Sequence, residues 1–193
     1  THTGTHLDAP WHYHPTMSGG QRAITIDEVP LDWCYGQGVK LDFSDKGDGY
    51  LVTARDVEEK LKEIGHSLKE GDIVLVQSGA DPYCDSEEYM LRGCGMGRES
   101  TNYLTERGVK LVGTDAWSWD RPLPLVAEEF AKTRDKSIIW EGHFAGIDRG
   151  YCHIEKLTNL DKLPSDGFKV ACFPIKIEGG SAGWVRPVAI LEE

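Results

Sequence analysis

Short apolar runs alternate along this chain with amphipathic segments, and glycine, proline or small polar residues separate them. Apolar runs of this length predict buried strands, while apolar positions three and four residues apart predict helices that pack on a sheet. Strands are predicted for 38–44, 72–79, 109–115 and 137–142, and helices for 53–65, 98–108 and 124–133. The alternation predicts an α/β fold with a mixed sheet.

Local signals add detail at two places. Thr53, followed three residues later by Asp56, predicts a capped helix start, and Gly65 predicts the end of that helix. Two further strands, 168–179 and 183–193, flank the turn sequence Gly-Gly-Ser-Ala and predict a closing hairpin. No repeat, low-complexity tract or long linker divides the sequence, so we expect residues 1–193 to form a single domain.

The composition narrows the function classes. With 193 residues, 39% hydrophobic and 27% charged, the chain can bury a sizeable core without disulfides or a structural metal. It contains no run of about 18 apolar residues, the length that crosses a bilayer, so we expect no membrane partner. The formal net charge of -11, without a basic cluster, argues against nucleic acid as a partner.

The cysteines indicate a compartment. They are five in number, widely spaced and without a CxxC pair, at positions Cys34, Cys84, Cys94, Cys152 and Cys172. This pattern predicts free thiols in a reducing environment, and therefore a cytoplasmic protein. The sequence begins at Thr1, inside its richest motif, so we expect a segment of the natural protein to be missing before it.

Residues 2–14, HTGTHLDAPWHYH, carry four histidines and one aspartate, all at even positions: His2, His6, Asp8, His12 and His14. The residues between His2 and His6 are poor helix formers, and Pro10 would interrupt a continuing helix. On a strand, His2 and His6 would be separated by about 13 Å at about 3.3 Å per residue. That distance is too long for one shared ion, so convergence needs a bend, which Gly4 permits.

Two imidazoles and one carboxylate form a ligand set that suits Zn²⁺ or Mn²⁺. Three protein ligands leave open coordination positions, and a divalent ion with such positions lowers the pKa of water towards about 7. A histidine-rich surface loop or the remnant of a tag is the alternative interpretation. The interleaved glycine, aspartate and proline argue against a tag.

The segment HTGTHLDAPWH (2–12) resembles the HxGTHxDxPxH signature of the cyclase family of metal-dependent hydrolases, to which bacterial kynurenine formamidase and isatin hydrolase belong. The family has a second signature, in which a glutamate follows a histidine by twelve residues and precedes LTNL. His143, Glu155 and residues 157–160 resemble it. Family members commonly carry phenylalanine where this chain has Tyr13, a difference that bears on the substrate pocket.

The resemblance implies a role for each matching residue. His2, His6 and Asp8 would bind a first metal ion, and Asp8 would bridge to a second ion held by His143 and Glu155. His12 would act as general acid/base beside the metals. The implied fold is the family's swivelling β/β/α domain with its mixed sheet.

The implied activity is metal-dependent hydrolysis of an amide, formamide, cyclic amide or lactone bond in a small, aromatic, carboxylate-bearing molecule. The implied cofactor is zinc, with manganese as the alternative, at one or two ions per chain. The implied assembly is a homodimer or homotetramer. The rival hypothesis is a metal-dependent small-molecule binding protein without catalysis, which would have no use for His12 as a proton shuttle.

Two other histidines, His14 and His153, each have two interpretations. His14 would either line the pocket or lie in a solvated loop, and His153 would either contact the site beside Glu155 or be a buried structural residue. His66, at a helix end, is interpreted as structural.

Two further segments are weaker candidates. In GTDAWSWDRP (113–122), Asp115, Ser118 and Asp120 are interpreted as mainly structural, while Trp117 and Trp119 would line a pocket, a core or an interface. Glycines at 93, 95 and 97 favour a loop near the active site. These glycines are the sole basis for a weaker alternative, a nucleotide-binding oxidoreductase. Their spacing is GxGxG, whereas dinucleotide-binding loops have GxGxxG.

Overall fold

The computed structural model describes residues 1–191. Its strands are β1 (His6–Asp8), β2 (Thr16–Met17), β3 (Gln21–Arg22), β4 (Tyr35–Asp42), β5 (Leu51–Val52), β6 (Ile73–Gln77), β7 (Gly95–Met96), β8 (Leu111–Thr114), β9 (Cys152–Glu155), β10 (Phe168–Ala171), β11 (Ala182–Trp184) and β12 (Val188–Leu191). Its α-helices are α1 (Pro10–Tyr13), α2 (Ala54–Glu63), α3 (Arg98–Thr105), α4 (Leu123–Thr133) and α5 (Glu141–Asp148).

Within the described residues, eight strands form one mixed sheet in the order β11-β1-β9-β8-β6-β4-β10-β12. The central strands β4, β6, β8 and β9 are parallel, and the outer pairs are antiparallel. A flat sheet of this order would separate its edges by about 34 Å. The edge strands β11 and β12 are only four residues apart, a span of at most about 15 Å, so the sheet must curl strongly.

The two faces of the sheet belong to different hydrophobic clusters. In β6, Ile73 and Leu75 pack in one cluster with Leu7, Leu111 and Ile154. The alternate residues of β6 point into a second cluster, which contains side chains of α2, α3 and α5. Because both faces are covered, β6 has a continuous apolar sequence, as a buried parallel strand requires.

The expected mixed α/β fold is confirmed. Strands occur within or close to the predicted segments 38–44, 72–79 and 109–115, and helices within or close to 53–65, 98–108 and 124–133. Thr53 accepts a hydrogen bond from the Asp56 backbone N–H at the start of α2, and Gly65 adopts a φ of 72° just after it. The five cysteines are free thiols, as predicted.

The strand predicted for 137–142 is wrong. Residues Lys136–Ile138 form a 3₁₀ turn, and α5 begins at Glu141 after Trp140, which has a φ of 55°. The Asp120 carboxylate accepts hydrogen bonds from the backbone N–H groups of Gly142 (2.7 Å) and His143 (3.1 Å). This cap comes from a distant loop, so the local apolar pattern does not reveal the helix.

The prediction of a closing hairpin is also wrong. Segment 168–179 is a strand only as β10, since Pro174 cannot continue a ladder of backbone hydrogen bonds. Segment 183–193 contains parts of two strands, β11 and β12, which lie at opposite edges of the sheet and pair with β1 and β10. Its last two residues, Glu192 and Glu193, lie outside the described residues. In residues 1–191, no helix has the length and apolar character needed to span a bilayer.

Candidate metal centre

The pairing of β1 with β9 places four polar side chains together. His6 lies opposite Glu155, and Asp8 lies opposite His153, in an antiparallel register. Between them, Leu7 and Ile154 point into the core on the other face of the sheet. Alternation therefore puts His6, Asp8, His153 and Glu155 on one face, where all four are buried.

The predicted bend at Gly4 is confirmed, because this glycine adopts a φ of 69°. The bend carries His2 back over the strand, so that its ring centroid lies 5.1 Å from that of His6. His2 Nδ1 lies 2.9 Å from Asp8 Oδ1, and His2 Nε2 forms a 3.0 Å hydrogen bond with Ser181 Oγ.

Pro10 does not simply interrupt a helix. It is the first residue of the short helix α1, where its missing N–H and fixed φ are tolerated. This turn returns His12 towards β1, and His12 Nε2 lies 3.9 Å from Asp8 Oδ2. The His12 side chain is only 22% exposed, so it lies at the mouth of the cluster.

Helix α5 contributes His143. Its Nδ1 forms a short hydrogen bond with Asp120 Oδ2, and its Nε2 lies 4.0 Å from Glu155 Oε1. Because a carboxylate accepts, Nδ1 carries the hydrogen and Nε2 faces the cluster. This is the arrangement that orients metal-binding histidines in proteins. The sequence interpretation of Asp120 as mainly structural therefore omits its contact with His143.

His153 lies at the centre of the cluster. Its Nε2 is 2.9 Å from Asp8 Oδ2 and 3.2 Å from Glu155 Oε1, and its side chain is fully buried. The sequence offered one signal for this position, the two-residue spacing from Glu155 on a strand. The structure therefore supports the contact with the site over an unrelated position in the core.

Asp8 joins two groups of polar side chains that could hold a metal ion: Asp8, His143, His153 and Glu155, and His2, Asp8 and His12. His6 lies between them, with Nε2 3.4 Å from Asp8 Oδ1 and 3.6 Å from Glu155 Oε2. The five residues predicted as ligands and the predicted acid/base are thus all brought together. Their assignment as ligands and as acid/base stays a prediction.

The chemistry of this donor set fits a divalent ion. His6 Nδ1 donates to Gly4 O (2.8 Å), which leaves Nε2 for another partner. Yet His6 Nε2 is buried without a hydrogen bond among the described residues. Asp8 Oδ1 is buried as well, and its near neighbour is His2 Nδ1 at 2.9 Å. An unpaired buried group of this kind is costly. Ligands about 2.0–2.1 Å from a tetrahedral ion lie about 3.4 Å apart, close to the separations found here.

The charges in the cluster also favour a cation. Burial opposes the ionisation of Asp8, but hydrogen bonds with His153 and His2 hold its pKa well below its usual value. Burial likewise opposes ionisation of Glu155, but His153 lowers its pKa to about 2. Burial alone would lower the pKa of His153, whereas its bonds with Asp8 and Glu155 raise it to about 9. Two carboxylates thus face one imidazolium with a raised pKa.

Tyr13 supports the cluster from behind. Its hydroxyl donates to Asp8 O (3.1 Å) and accepts from the His153 backbone N–H (3.0 Å), so it bridges β1 and β9. The ring stacks on His153 with centroids 5.0 Å apart. A side chain on Gly146 would place its Cβ 2.5 Å from the Tyr13 ring, so α5 needs glycine here to approach.

The two remaining histidines, His14 and His66, lie outside the cluster. His14 Nδ1 forms a 2.9 Å hydrogen bond with Thr16 Oγ1, which favours a local loop role. His66 Nε2 forms a 2.8 Å hydrogen bond with Asp72, in agreement with its structural interpretation.

The segment 113–122 has mixed roles. Asp115 accepts backbone hydrogen bonds from Ser78, Gly79 and Asp81, which makes it structural. Trp119 is buried and its backbone N–H donates to Glu155 Oε1 (3.1 Å), whereas Trp117 is exposed.

The glycine cluster at 93–97 has a packing explanation. A Cβ on Gly95 would lie 2.1 Å from the backbone nitrogen of Arg121. Gly97 precedes α3 and its N–H bonds to Ser100 Oγ. Glycine is required here by a close backbone approach between β7 and the loop that carries Asp120.

Comparisons with known proteins agree on one family. Residues 1–121 match the family model Cyclase, described as "Putative cyclase". A kynurenine formamidase of Erythrobacter litoralis (strain HTCC2594) is 30% identical over 195 residues, covering 100% of this chain and 74% of the relative. A kynurenine formamidase of Salinibacter ruber (strain DSM 13855 / M31) is 29% identical over 189 residues, covering 97% of this chain and 75% of the relative.

A solved structure, an isatin hydrolase bound to the product analogue thioisatinate, shares the fold with a TM-score of 0.82. It is 21% identical and is matched over 100% of this chain and 72% of its own. The chain belongs to the cyclase family.

Proposed function

We propose that this protein is a metal-dependent hydrolase that cleaves an amide, formamide, cyclic amide or lactone bond of a small aromatic molecule. The observation that carries the proposal is the buried His6 Nε2, which has no hydrogen bond among the described residues although it lies in a histidine and carboxylate cluster. The kynurenine formamidase relatives support amide hydrolysis, and the buried cluster of histidines and carboxylates supports the metal dependence.

His2, His6 and Asp8 would hold one ion, and Asp8 with His143 and Glu155 would hold a second. His153 contacts both carboxylates and is a further candidate ligand in its unprotonated form, since metal binding requires a neutral imidazole. A divalent ion bound here supplies Lewis-acid polarisation of a carbonyl and a lowered pKa for water. The ion we propose is zinc, with manganese as the alternative.

His12 is the proposed general acid/base. Burial lowers its pKa from 6.5 to about 4, so its imidazole is unprotonated at neutral pH and Nε2 can accept a proton from attacking water. The same nitrogen then returns the proton to the leaving amine or alkoxide. His12 is held between its neighbours, with ring centroids 4.2 Å from His2 and 5.6 Å from Trp140.

The test is hydrolysis of formanilide, an arylformamide, and of isatin, a cyclic amide, with and without a chelator. We expect turnover of one or both, abolished by the chelator and restored by zinc or manganese. Formanilide turnover above background indicates an arylformamidase, and turnover of isatin alone indicates a cyclic amidase.

The variant His12→Ala should lower kcat by at least about 100-fold while the metal content stays unchanged. His14→Ala is the matched control, because His14 bonds to Thr16 outside the cluster, and we expect it to retain activity. Loss of metal in His12→Ala would show that His12 is a ligand. A protein that binds metal but hydrolyses neither substrate, nor any related lactone, would be a binding protein instead.

Three finer features belong to the same proposal. We propose one or two ions per chain, a homodimer or homotetramer, and a cytoplasmic location. Elemental analysis measures the first, and sedimentation measures the second. Fractionation of cells that express the natural protein measures the third.

A further inference from the structure

Trp140 has a backbone conformation that tryptophan rarely adopts. Its φ of 55° and ψ of 41° lie in the left-handed region, which glycine adopts readily and residues with a side chain adopt rarely. Such strain persists only where the surroundings fix it, and it concentrates at functional sites. Trp140 lies directly before α5, the helix that contributes His143 to the cluster. A tryptophan at this position therefore needs an explanation beyond local backbone preference.

The start of α5 does not explain the tryptophan. A residue at this position usually caps the helix with a short polar side chain, but an indole has no acceptor, and none is used here. The Asp120 carboxylate instead accepts from the backbone N–H groups of Gly142 and His143. Trp140 supplies only its backbone C=O, which accepts from the Phe144 N–H (2.8 Å). Glycine would supply that carbonyl equally well and without strain.

The indole ring of Trp140 lies against two imidazoles of the cluster. It stacks on His143, with centroids 4.6 Å apart and an interplanar angle of 13°. Its centroid is also 5.6 Å from that of His12, at an angle of 52°. Phe144 packs edge-on to the indole, with centroids 6.1 Å apart and an angle of 65°, and so braces it. Trp140 therefore contacts both a candidate ligand and the proposed acid/base.

The stacking restricts a motion of His143 that its hydrogen bond leaves open. The bond from Nδ1 to Asp120 determines which nitrogen carries the hydrogen and holds one edge of the ring. Rotation about the bond that joins a histidine ring to its Cβ has broad energy minima, so the ring could still tilt about that edge. A parallel indole opposes this tilt. His143 Nε2 is thereby held towards Glu155 Oε1, from which it lies 4.0 Å.

His12 depends on ring contacts for its orientation. Among the described residues its imidazole forms no hydrogen bond, since the 3.9 Å between Nε2 and Asp8 Oδ2 exceeds hydrogen-bond length. Its ring centroid lies 4.2 Å from that of His2 and 5.6 Å from that of Trp140. These rings therefore limit where His12 Nε2 can point.

We propose that Trp140 is a positioning residue of this centre, whose indole holds the imidazoles of His143 and His12 in their working orientations. It acts through these two histidines and has no part in the bond cleavage itself. The left-handed backbone at residue 140 is the conformation that places the ring between them and Phe144. This inference rests on the proposed function, which supplies the roles of His143 and His12.

Three variants separate the ring from the backbone. Trp140→Gly removes the indole and leaves a residue that adopts a φ of 55° without strain, whereas Trp140→Phe keeps a ring that can stack. Arg134→Gly is the matched control, because Arg134 is exposed and also has a left-handed φ, 57°, just after α4 and outside the cluster. Far-UV circular dichroism checks that each variant is folded.

Two measurements need no substrate. Competition with a chelating indicator should show that Trp140→Gly binds zinc about 2–10-fold more weakly, because one aromatic contact that orients His143 is lost. In the metal-free protein, diethyl pyrocarbonate should acylate His12 several-fold faster in Trp140→Gly, since one cover of its ring is removed. His14 provides the internal reference for the acylation, because it bonds to Thr16 outside the cluster. Trp140→Phe should stay close to wild type, and Arg134→Gly should match it.

Kinetics provide the third measurement, with whichever of formanilide and isatin is hydrolysed. In Trp140→Gly, kcat should fall about 10–100-fold while KM changes little, because a displaced acid/base slows the chemical step and leaves substrate binding intact. Trp140→Phe should restore most of kcat. A residue that served only to pack α5 would not produce this separation of kcat from KM.

Three results would overturn the proposal. Zinc affinity and His12 acylation equal to wild type in Trp140→Gly would show that the indole positions neither histidine. Equal effects in Trp140→Phe and Trp140→Gly would show that stacking is not the cause. Effects of the same size in Arg134→Gly would show that the backbone change is the cause. Zinc binding and His12 acylation that depend on Trp140, without hydrolysis of any substrate, would refute the proposed function and leave the positioning of both histidines standing.

Discussion

Replacing Tyr13 with phenylalanine removes one oxygen atom from behind the candidate metal centre. In the structure this hydroxyl forms hydrogen bonds with Asp8 O (3.1 Å) and with the His153 backbone N–H (3.0 Å). The ring itself is buried, and phenylalanine keeps its shape. The substitution therefore leaves the packing in place and removes the bridge between β1 and β9.

The size of the effect follows from these two bonds. Each net hydrogen bond contributes about 1 kcal/mol, and a buried group left without a partner costs about 1–3 kcal/mol. We therefore expect Tyr13→Phe to lower the free energy of unfolding by at least about 2 kcal/mol. For a chain of this length, that loss corresponds to a fall in Tm of about 4–8 °C.

Tyr151→Phe is the matched control. Tyr151 is also buried and stacks on Tyr13 with centroids 5.1 Å apart, but its hydroxyl forms one hydrogen bond, to Gly142 O (2.8 Å). Its loss should cost about 1 kcal/mol. Urea denaturation of both variants in metal-free form measures the difference at constant m-value. A loss in Tyr13→Phe no larger than in Tyr151→Phe would refute the bridging role of Tyr13.

Two further predictions concern the cluster itself. Asp120→Asn should weaken metal binding about 10–100-fold, because the His143 Nδ1–H loses its carboxylate partner. Competition with a chelating indicator measures this, and unchanged affinity would show that Asp120 only caps α5. In the metal-free protein, the free energy of unfolding should fall as the pH rises from 6.5 to about 9. The reason is that folding raises the pKa of His153 from 6.5 to about 9, so its stabilisation is complete below pH 6.5 and is lost as the pH rises through about 9. Urea denaturation across this range should show the fall, His153→Gln should flatten it, and a flat wild-type curve would contradict the protonated state of His153.

The sequence predicted the parts of the site that depend on neighbours along the chain. The even spacing of His6 and Asp8 and that of His153 and Glu155 place each pair on one face of a strand, and both pairs lie so in β1 and β9. Gly4 supplies the predicted bend before them. The family signatures added His143, which local spacing alone does not link to the opening segment.

Other features depend on contacts that the local sequence does not reveal. Helix α5 is capped by Asp120, which precedes it by about twenty residues, and its approach depends on Gly146 against Tyr13. The apolar run before His143 therefore looked like a strand. Similarly, β11 and β12 are short strands close together in the sequence, yet they lie at opposite edges of the sheet. The curl of the sheet makes this possible. The contact of His153 with Asp8 likewise depends on the pairing of β1 with β9.

We expect the two distant signatures to form one metal centre around Asp8. Metal content per chain, measured by elemental mass spectrometry on protein purified without added metal or chelator, decides this. One or two zinc or manganese ions per chain are expected, with a loss of metal in Asp8→Ala because Asp8 belongs to both groups of candidate ligands. No metal in the purified protein, and none taken up on titration with zinc or manganese, would show that these residues do not form a metal centre.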